Sequence, residues 1–295
     1  MVNYKNWIEQ IPDDTKISTL SIPGTHNSGA CHTALPSVQC QGESITSQLE
    51  HGVRFLDIRV GRLFVGKNKN DLQVIHGKFP VKIPFPLELT DVLKEVYDFV
   101  ENNPRETVII SLKQEGSNDW DNENDEFGNL IWEHYISPNK EKWYLNTDIP
   151  RAGDARGKII LFRRFGVRNE DLRNKFGFEA SVWSYNTTDD DRGTFVVQDF
   201  CEVQKSIDLP KKIEYVKNLA KRAQDYTRDH DDKLFLNFTS GSNFFDKDCW
   251  PEPVAKAMLN GNIQDTFQKG VGIIVLDYAE TDDWKLVKNL VDSNF

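Results

Sequence analysis

The strongest constraint on this chain is a unit that repeats along it: a short apolar run ending in a charged, amide or imidazole side chain. Residues 107–115 (TVIISLKQE) are its longest example. A near-continuous apolar run of strand length fits a strand covered on both faces, as in a parallel sheet with helices packed against it. The unit returns at 158–164 (KIILFRR), 195–199 (FVVQD), 234–238 (LFLNF) and 272–277 (GIIVLD). Residues 53–60 (VRFLDIRV) alternate instead, which puts Asp57 and Arg59 on one face of a strand. Residues 72–77 (LQVIHG) carry a histidine, His76, at the strand exit. At 20–29 (LSIPGTHNSG), Pro23 and Gly24 are expected to close a strand begun by Leu20 and Ile22, with His26 just beyond.

Helical periodicity fills the intervals. Thr90 reads as the N-cap of a helix over 91–102, with Val92, Leu93, Val96, Phe99 and Val100 as its stripe and Pro104 as its stop. Residues 207–227 read as a long amphipathic helix with Ile213, Val216, Leu219 and Ala220 inward. A shorter helix is expected over 284–291, a helical turn over 46–51 and a helical piece over 130–135, while 116–128 reads as an acidic loop. About eight strands alternate with helices, without an internal repeat or an obvious linker. The chain of 295 residues is therefore expected to form one α/β unit over 1–295, a (β/α) barrel with one site at the C-terminal ends of its strands. The strands at 53–60 and 72–77 lie too close for an ordinary crossover helix, so the barrel should be irregular.

Composition narrows the class of function. A net charge of -10 argues against nucleic-acid binding and against a polybasic membrane anchor. Residues 1–14 contain no apolar core of a signal peptide, and no apolar run reaches the length of a membrane span. The four cysteines, Cys31, Cys40, Cys201 and Cys249, form no metal-binding spacing. Cys31 and Cys40 could be bridged or free.

The strand ends gather His26, Asp57, Arg59, His76, Lys113, Glu115, Arg164, Asp199 and Asp277. Two imidazoles, arginine and carboxylates are the parts for transfer at a phosphodiester. One imidazole removes a proton from the attacking hydroxyl and the other protonates the leaving oxygen. Arginine holds the phosphate oxygens through a forked contact. The other histidines, His32, His51, His134 and His230, fall in loops or helices and are read as surface or structural. A ring of charged donors and acceptors suits a polyol. Three aromatics in a polar loop, Phe244, Phe245 and Trp250 within 243–250 (NFFDKDCW), suit contact with a lipid surface.

The ordered set 21–26 (SIPGTH), 51–59 (HGVRFLDIR), His76-Gly77, 104–107 (PRET), 153–158 (GDARGK), 197–199 (VQD) and 236–240 (LNFTS) resembles the X-type catalytic domain of bacterial phosphatidylinositol-specific phospholipase C. The resemblance implies a distorted TIM barrel. It implies cleavage of phosphatidylinositol, and of glycosylated anchors, to diacylglycerol and inositol 1,2-cyclic phosphate. By matching position, His26 resembles the general base, Asp277 its supporting carboxylate, His76 the general acid, and Arg59 the phosphate-binding arginine with Asp57 beside it. Lys113, Glu115, Arg164 and Asp199 resemble the residues that hold the inositol hydroxyls, with Asn27 and Phe200 also in the substrate site. Arg59 stands where calcium-dependent relatives carry a carboxylate, so catalysis without a metal is expected, with Ca²⁺ assistance as the alternative. Asn27 replaces the usual aspartate of the metal-independent enzymes, which leaves a weak inositol-lipid binding module as a further alternative. Cys201 replaces the usual tyrosine under the inositol ring. The resemblance further implies a secreted monomer in peripheral contact with membranes, with phosphatidylinositol as partner and myo-inositol as a competing ligand.

Overall fold

The computed structural model describes residues 1–31, 33, 35–62, 71–117 and 119–295; His32 lies outside the described residues. The sheet is built around β1 (Ser21–Thr25), which pairs in parallel with β2 (Phe55–Gly61) on one side and with the last strand on the other. β3 (Gln73–His76) runs antiparallel to β2 and turns back as β4 (Phe79–Pro80). β5 (Val108–Gln114) continues the parallel sheet beside β2, followed outward by β7 (Ile159–Arg164), which is flanked by β6 (Trp143–Tyr144) and β8 (Phe178–Glu179). On the other side of β1 the order is β12 (Gly272–Leu276), β11 (Leu234–Phe238), β10 (Phe195–Gln198) and the antiparallel edge β9 (Asp190–Asp191). The result is an irregular α/β barrel. The predicted absence of a crossover helix after the 53–60 strand corresponds to the antiparallel β2–β3 pair.

Among the described residues no ladder joins β7 and β8 to β10. Aromatic rings bridge the opening. Phe162 stacks on Phe178 with centroids 5.4 Å apart, and Phe195 meets both edge-on at 6.0 and 6.1 Å. Contacts of this geometry add to the burial of large apolar area, so side chains hold a seam that backbone hydrogen bonds leave open.

Several local expectations are corrected. Pro23 and Gly24 do not end the first strand but lie inside β1, buried. Pro23 supplies no N–H, yet its carbonyl accepts from the Arg54 amide at 2.9 Å. Gly24 is required by close approach, since a Cβ there would stand 2.9 Å from Phe55 Cδ1. The second helix spans Leu89–Asn102 and its cap is Glu88, not Thr90. Leu89 is fully buried and its amide is taken by the Leu72 carbonyl at 2.8 Å, so the helix starts a residue earlier than Thr90. In the helix Asp208–Thr227, Lys212 is fully buried while Ile213 is only half-buried. Lys212 Nζ donates to Gln198 Oε1 at 3.0 Å, and burial pushes its ammonium down to about 8.

The end of the barrel away from the histidines is closed by a buried ion pair that the strand pattern does not announce. Arg54 Nε and Nη2 reach Glu106 Oε2 at 2.9 and 2.8 Å. Arg54 Nη1 also donates to the carbonyls of Leu49 and Val53. Glu106 accepts in turn from the Ile8 and Glu9 amides, which fastens the N-terminal segment under the sheet. Both side chains are essentially inaccessible. Glu106→Ala strands a buried guanidinium, so it should cost about 3–5 kcal/mol of stability in denaturant unfolding. A loss below about 1 kcal/mol would mean that the Leu49 and Val53 carbonyls satisfy Arg54 unaided.

Candidate active site

The C-terminal ends of the strands open into a cavity of about 490 Å³ lined by His26, Arg59, His76, Lys113, Arg164, Asp199 and Asp277 among others. These seven were expected from the sequence, and each comes from a different strand. Parallel register carries six of them to one mouth, and His76 arrives on the antiparallel β3. Arg59 lies level with Lys113, and Lys113 with Arg164, across neighbouring strands.

His26 follows β1 directly, and its backbone amide extends the ladder to the Leu276 carbonyl at 2.8 Å. Its Nδ1 lies 2.8 Å from Asp277 Oδ1. The Asp277 side chain is buried, and its Oδ2 has no hydrogen-bond partner among the described residues. A carboxylate can only accept, so Nδ1 carries the proton and Nε2 keeps its lone pair. That lone pair faces the Asn27 amide nitrogen at 3.2 Å. Asn27 has φ of 40°, a left-handed conformation that asparagine tolerates, and its own amide donates to Asp57 Oδ2.

His76 ends β3. Its Nδ1 donates to the Val38 carbonyl at 2.9 Å, and its ring stands edge-on to His26 with centroids 6.0 Å apart. Burial and the neighbouring His26 both push the His76 imidazole below its ordinary value. Beneath the histidines, Arg59 Nε and Nη2 grip Asp57 Oδ2 at 3.0 and 2.9 Å, and Arg164 Nη1 lies 3.6 Å from Asp57 Oδ1. Burial of Asp57 pushes its carboxyl up, but Arg59 and Arg164 outweigh it and hold it well below the usual carboxylate range. Arg59 rises above its ordinary value because Asp57 and Glu115 outweigh its burial.

Other expected residues stand off from the cavity. Asp57 and Asn27 lie behind it rather than on its wall. Glu115 is also behind the wall, as a hub: Oε1 accepts from the Gly77 amide at 2.7 Å and Oε2 lies 3.1 Å from Lys113 Nζ. It therefore fixes the turn that carries His76. Phe200 packs edge-on against Tyr215 at 5.2 Å and lines an adjacent groove with Phe244 and Phe245. Phe244 and Phe245 are 57% and 94% exposed, whereas Trp250 is half-buried and braces their loop by donating from Nε1 to the Phe244 carbonyl. His51 stacks on Trp284, His230 stacks on Tyr226 and His134 is exposed, all outside the cavity. All four cysteines are free, so the Cys31–Cys40 bridge is not formed.

Sequence reasoning missed three parts of the site. Trp183 lies under the Arg164 guanidinium at 3.7 Å and donates to Asp199 Oδ2 at 3.2 Å. Gln41 is fully buried and donates to the carbonyls of His26 and Leu276, both at 2.8 Å, locking β1 to β12 behind the histidine. Cys40 is fully buried with Sγ 3.7 Å from His76 Nδ1. None belongs to a strand, so no apolar period marks them.

Residues 16–165 match the family model described as phosphatidylinositol-specific phospholipase C, X domain. The chain belongs to this family. The matched segment runs from before β1 through β7 and so holds His26, Arg59, His76, Lys113 and Arg164. The 1-phosphatidylinositol phosphodiesterase of Listeria monocytogenes is 29% identical over 313 residues, covering 99% of this chain and 86% of that protein. The crystal structure of phosphatidylinositol-specific phospholipase C from Listeria monocytogenes superposes with a TM-score of 0.75 at 26% identity, covering both chains in full. A variant of the Staphylococcus aureus phospholipase reaches a TM-score of 0.80 at 24% identity over 99% of this chain and 98% of that one, a likeness of fold.

Proposed function

We propose that this chain is a phosphatidylinositol-specific phospholipase C, one catalytic unit over residues 1–295 that cleaves phosphatidylinositol to diacylglycerol and inositol 1,2-cyclic phosphate. One observation carries the reading: a histidine with its proton fixed toward Asp277 faces a second histidine across a cavity floored by Arg59. His26 Nε2 takes the proton of the inositol 2-hydroxyl, which first displaces the Asn27 amide from that nitrogen. The freed oxygen attacks phosphorus. Arg59 holds the phosphate oxygens as charge builds on them. The glycerol oxygen leaves with a proton from Nε2 of His76, whose Nδ1 is tied to Val38. Lys113, Arg164 and Asp199 hold the ring hydroxyls, with Trp183 keeping Arg164 and Asp199 in place. Because burial lowers the His76 value, its acid form is depleted as pH rises, and turnover should fall on the alkaline side earlier than an ordinary histidine would dictate.

Calcium assistance is the poorer fit. Calcium takes six to eight oxygen ligands, whereas the reaction point is surrounded by imidazole, guanidinium and thiol groups, with Asp277 bonded to His26 and Asp57 to Arg59. Arg59 supplies the positive charge itself. Phosphorus resonances should show the cyclic product when the protein meets phosphatidylinositol vesicles, with or without a chelator. Loss of product with chelator and its return with Ca²⁺ would overturn this assignment. Vesicle binding without any product would favour the binding-module reading that Asn27 suggests.

The protein meets its lipid peripherally, as a monomer, and secretion, implied by the resemblance, belongs to the same proposal. Among the described residues no helix is long and apolar enough to cross a membrane. Phe244 and Phe245 stand exposed on the groove beside the cavity, and Phe79 of β4 stacks parallel to Phe244 at 6.5 Å. Replacing Phe244 and Phe245 with serine should weaken vesicle binding about tenfold or more, since each buried ring is worth about 1.5–3 kcal/mol. Hydrolysis of soluble inositol 1,2-cyclic phosphate should be spared, and equal losses on both substrates would refute an interfacial role.

A further inference from the structure

We infer that the reaction centre holds a second, inhibitory site for a thiophilic divalent cation of the zinc class, formed by His26, Cys40 and Asp277. One ligand atom from each of these residues lies within 4.8 Å of the others, and Cys40 and Asp277 are buried. The inference rests on the proposed function only for its consequence, since a cation there removes the base.

The donor set is what selects the metal. Imidazole, thiolate and carboxylate together match zinc, which takes four ligands of nitrogen, sulfur and oxygen type, and do not match calcium or magnesium, which take oxygen. Zinc bonds of about 2.0–2.3 Å bring tetrahedral ligands to within about 4 Å of one another. The three donors need to draw together by about 1 Å, and His26 and Asp277 already touch at 2.8 Å. The fourth position is left to water.

Two further observations point to a ligand. Asp277 Oδ2 is buried without a hydrogen-bond partner among the described residues, although burying an unsatisfied carboxylate oxygen is costly. The Cys40 segment is also built rather than loose. The Tyr278 amide donates to the Cys40 carbonyl at 2.7 Å and the Cys40 amide donates to the Ala30 carbonyl at 3.0 Å, which fixes the thiol against the carboxylate's own strand end. Zinc would displace the Cys40 thiol proton to solvent and shift the His26 Nδ1 proton to Nε2. Zn²⁺ with one thiolate and one carboxylate is neutral, one unit more positive than the empty site with its single Asp277 charge.

The test uses the full-length protein and two independent readouts. Zn²⁺ should inhibit hydrolysis of soluble inositol 1,2-cyclic phosphate, while Ca²⁺ and Mg²⁺ at the same concentration should not. Cys40→Ser, compared with its own metal-free rate, should need at least tenfold more Zn²⁺ for half-inhibition. Co²⁺ reports binding without any substrate: a near-ultraviolet thiolate-to-cobalt charge-transfer band should appear in the parent protein and be lost in Cys40→Ser but kept in Cys201→Ser. Failure of the band to depend on Cys40, or zinc inhibition that Cys40→Ser leaves in place, would overturn the site. A protein that lacks phospholipase turnover yet shows the Cys40-dependent band would refute the proposed function and leave the metal site standing.

Discussion

His26→Ala is expected to lower turnover of phosphatidylinositol by about 10³-fold or more, within the range that a positioned general base contributes. The fold should survive, because the His26 backbone amide and carbonyl keep their bonds to Leu276 and Gln41 even as Asp277 Oδ1 loses the ring. Asp277→Asn should cost nearly as much. An asparagine can present an N–H to Nδ1, which would move the imidazole proton to Nε2 and remove the lone pair that accepts the hydroxyl proton. If the two residues act as a unit, the double variant should be no slower than His26→Ala alone. Rates for all three should be followed with KM, because neither residue contacts the acyl chains and the loss should fall on kcat. Losses of His26→Ala and Asp277→Asn that multiply in the double variant would show that Asp277 acts on something other than His26. Asn27→Ala is the informative comparison, since it frees Nε2 without touching its proton. It should leave the turnover within about an order of magnitude, whereas a loss as deep as that of His26→Ala would give the amide a chemical role.

What the sequence made legible follows from period. Strands buried on both faces show as apolar runs, and their exits show as the first charged residue after each run. That is enough to name His26, Arg59, Lys113, Arg164, Asp199 and Asp277 as neighbours, although they span some 250 positions, because parallel register places their exits at one end, while His76 joins them from the antiparallel β3. The same logic does not tell front from back. Glu115 and Asp57 share the strand ends but face the interior of the wall, where one fixes the His76 turn and the other anchors Arg59. Nor does it reach side chains delivered by irregular backbone. Trp183, Gln41 and Cys40 owe their positions to loops whose course is set by hydrogen bonds to strands distant in sequence. Pro23 misled for a related reason. Proline interrupts a ladder only where its N–H would be needed, and at β1 that need is absent.

Arg59 carries the second large effect, because it answers to both stability and chemistry. Arg59→Met removes the guanidinium that holds Asp57 at 2.9 Å and leaves a fully buried carboxylate with Arg164 at 3.6 Å as its remaining cation and the Asn27 backbone amide as a neutral donor. Breaking one side of a buried pair should cost about 3–5 kcal/mol in denaturant unfolding at neutral pH. Loss of a donor aimed at the developing charge should also lower turnover by about 10²–10³-fold. Asp57→Asn in the Arg59→Met background separates the two effects, since it removes the stranded charge and should restore stability but not turnover. The pH dependence has a defined sign. In the parent protein Asp57 is held below its unfolded value of about 3.9, so its pair stabilises the fold above that pH and the contribution is lost as pH falls through the depressed value. In Arg59→Met burial dominates and the carboxyl rises, so the variant relieves its penalty by protonating. The stability gap between parent and variant should therefore be widest at neutral pH, narrow as pH falls through the variant's raised value, and close only as pH falls from about 3.9 toward the parent's depressed value. A gap that stays constant across that range would locate the cost in lost packing around Arg59 rather than in the stranded charge of Asp57.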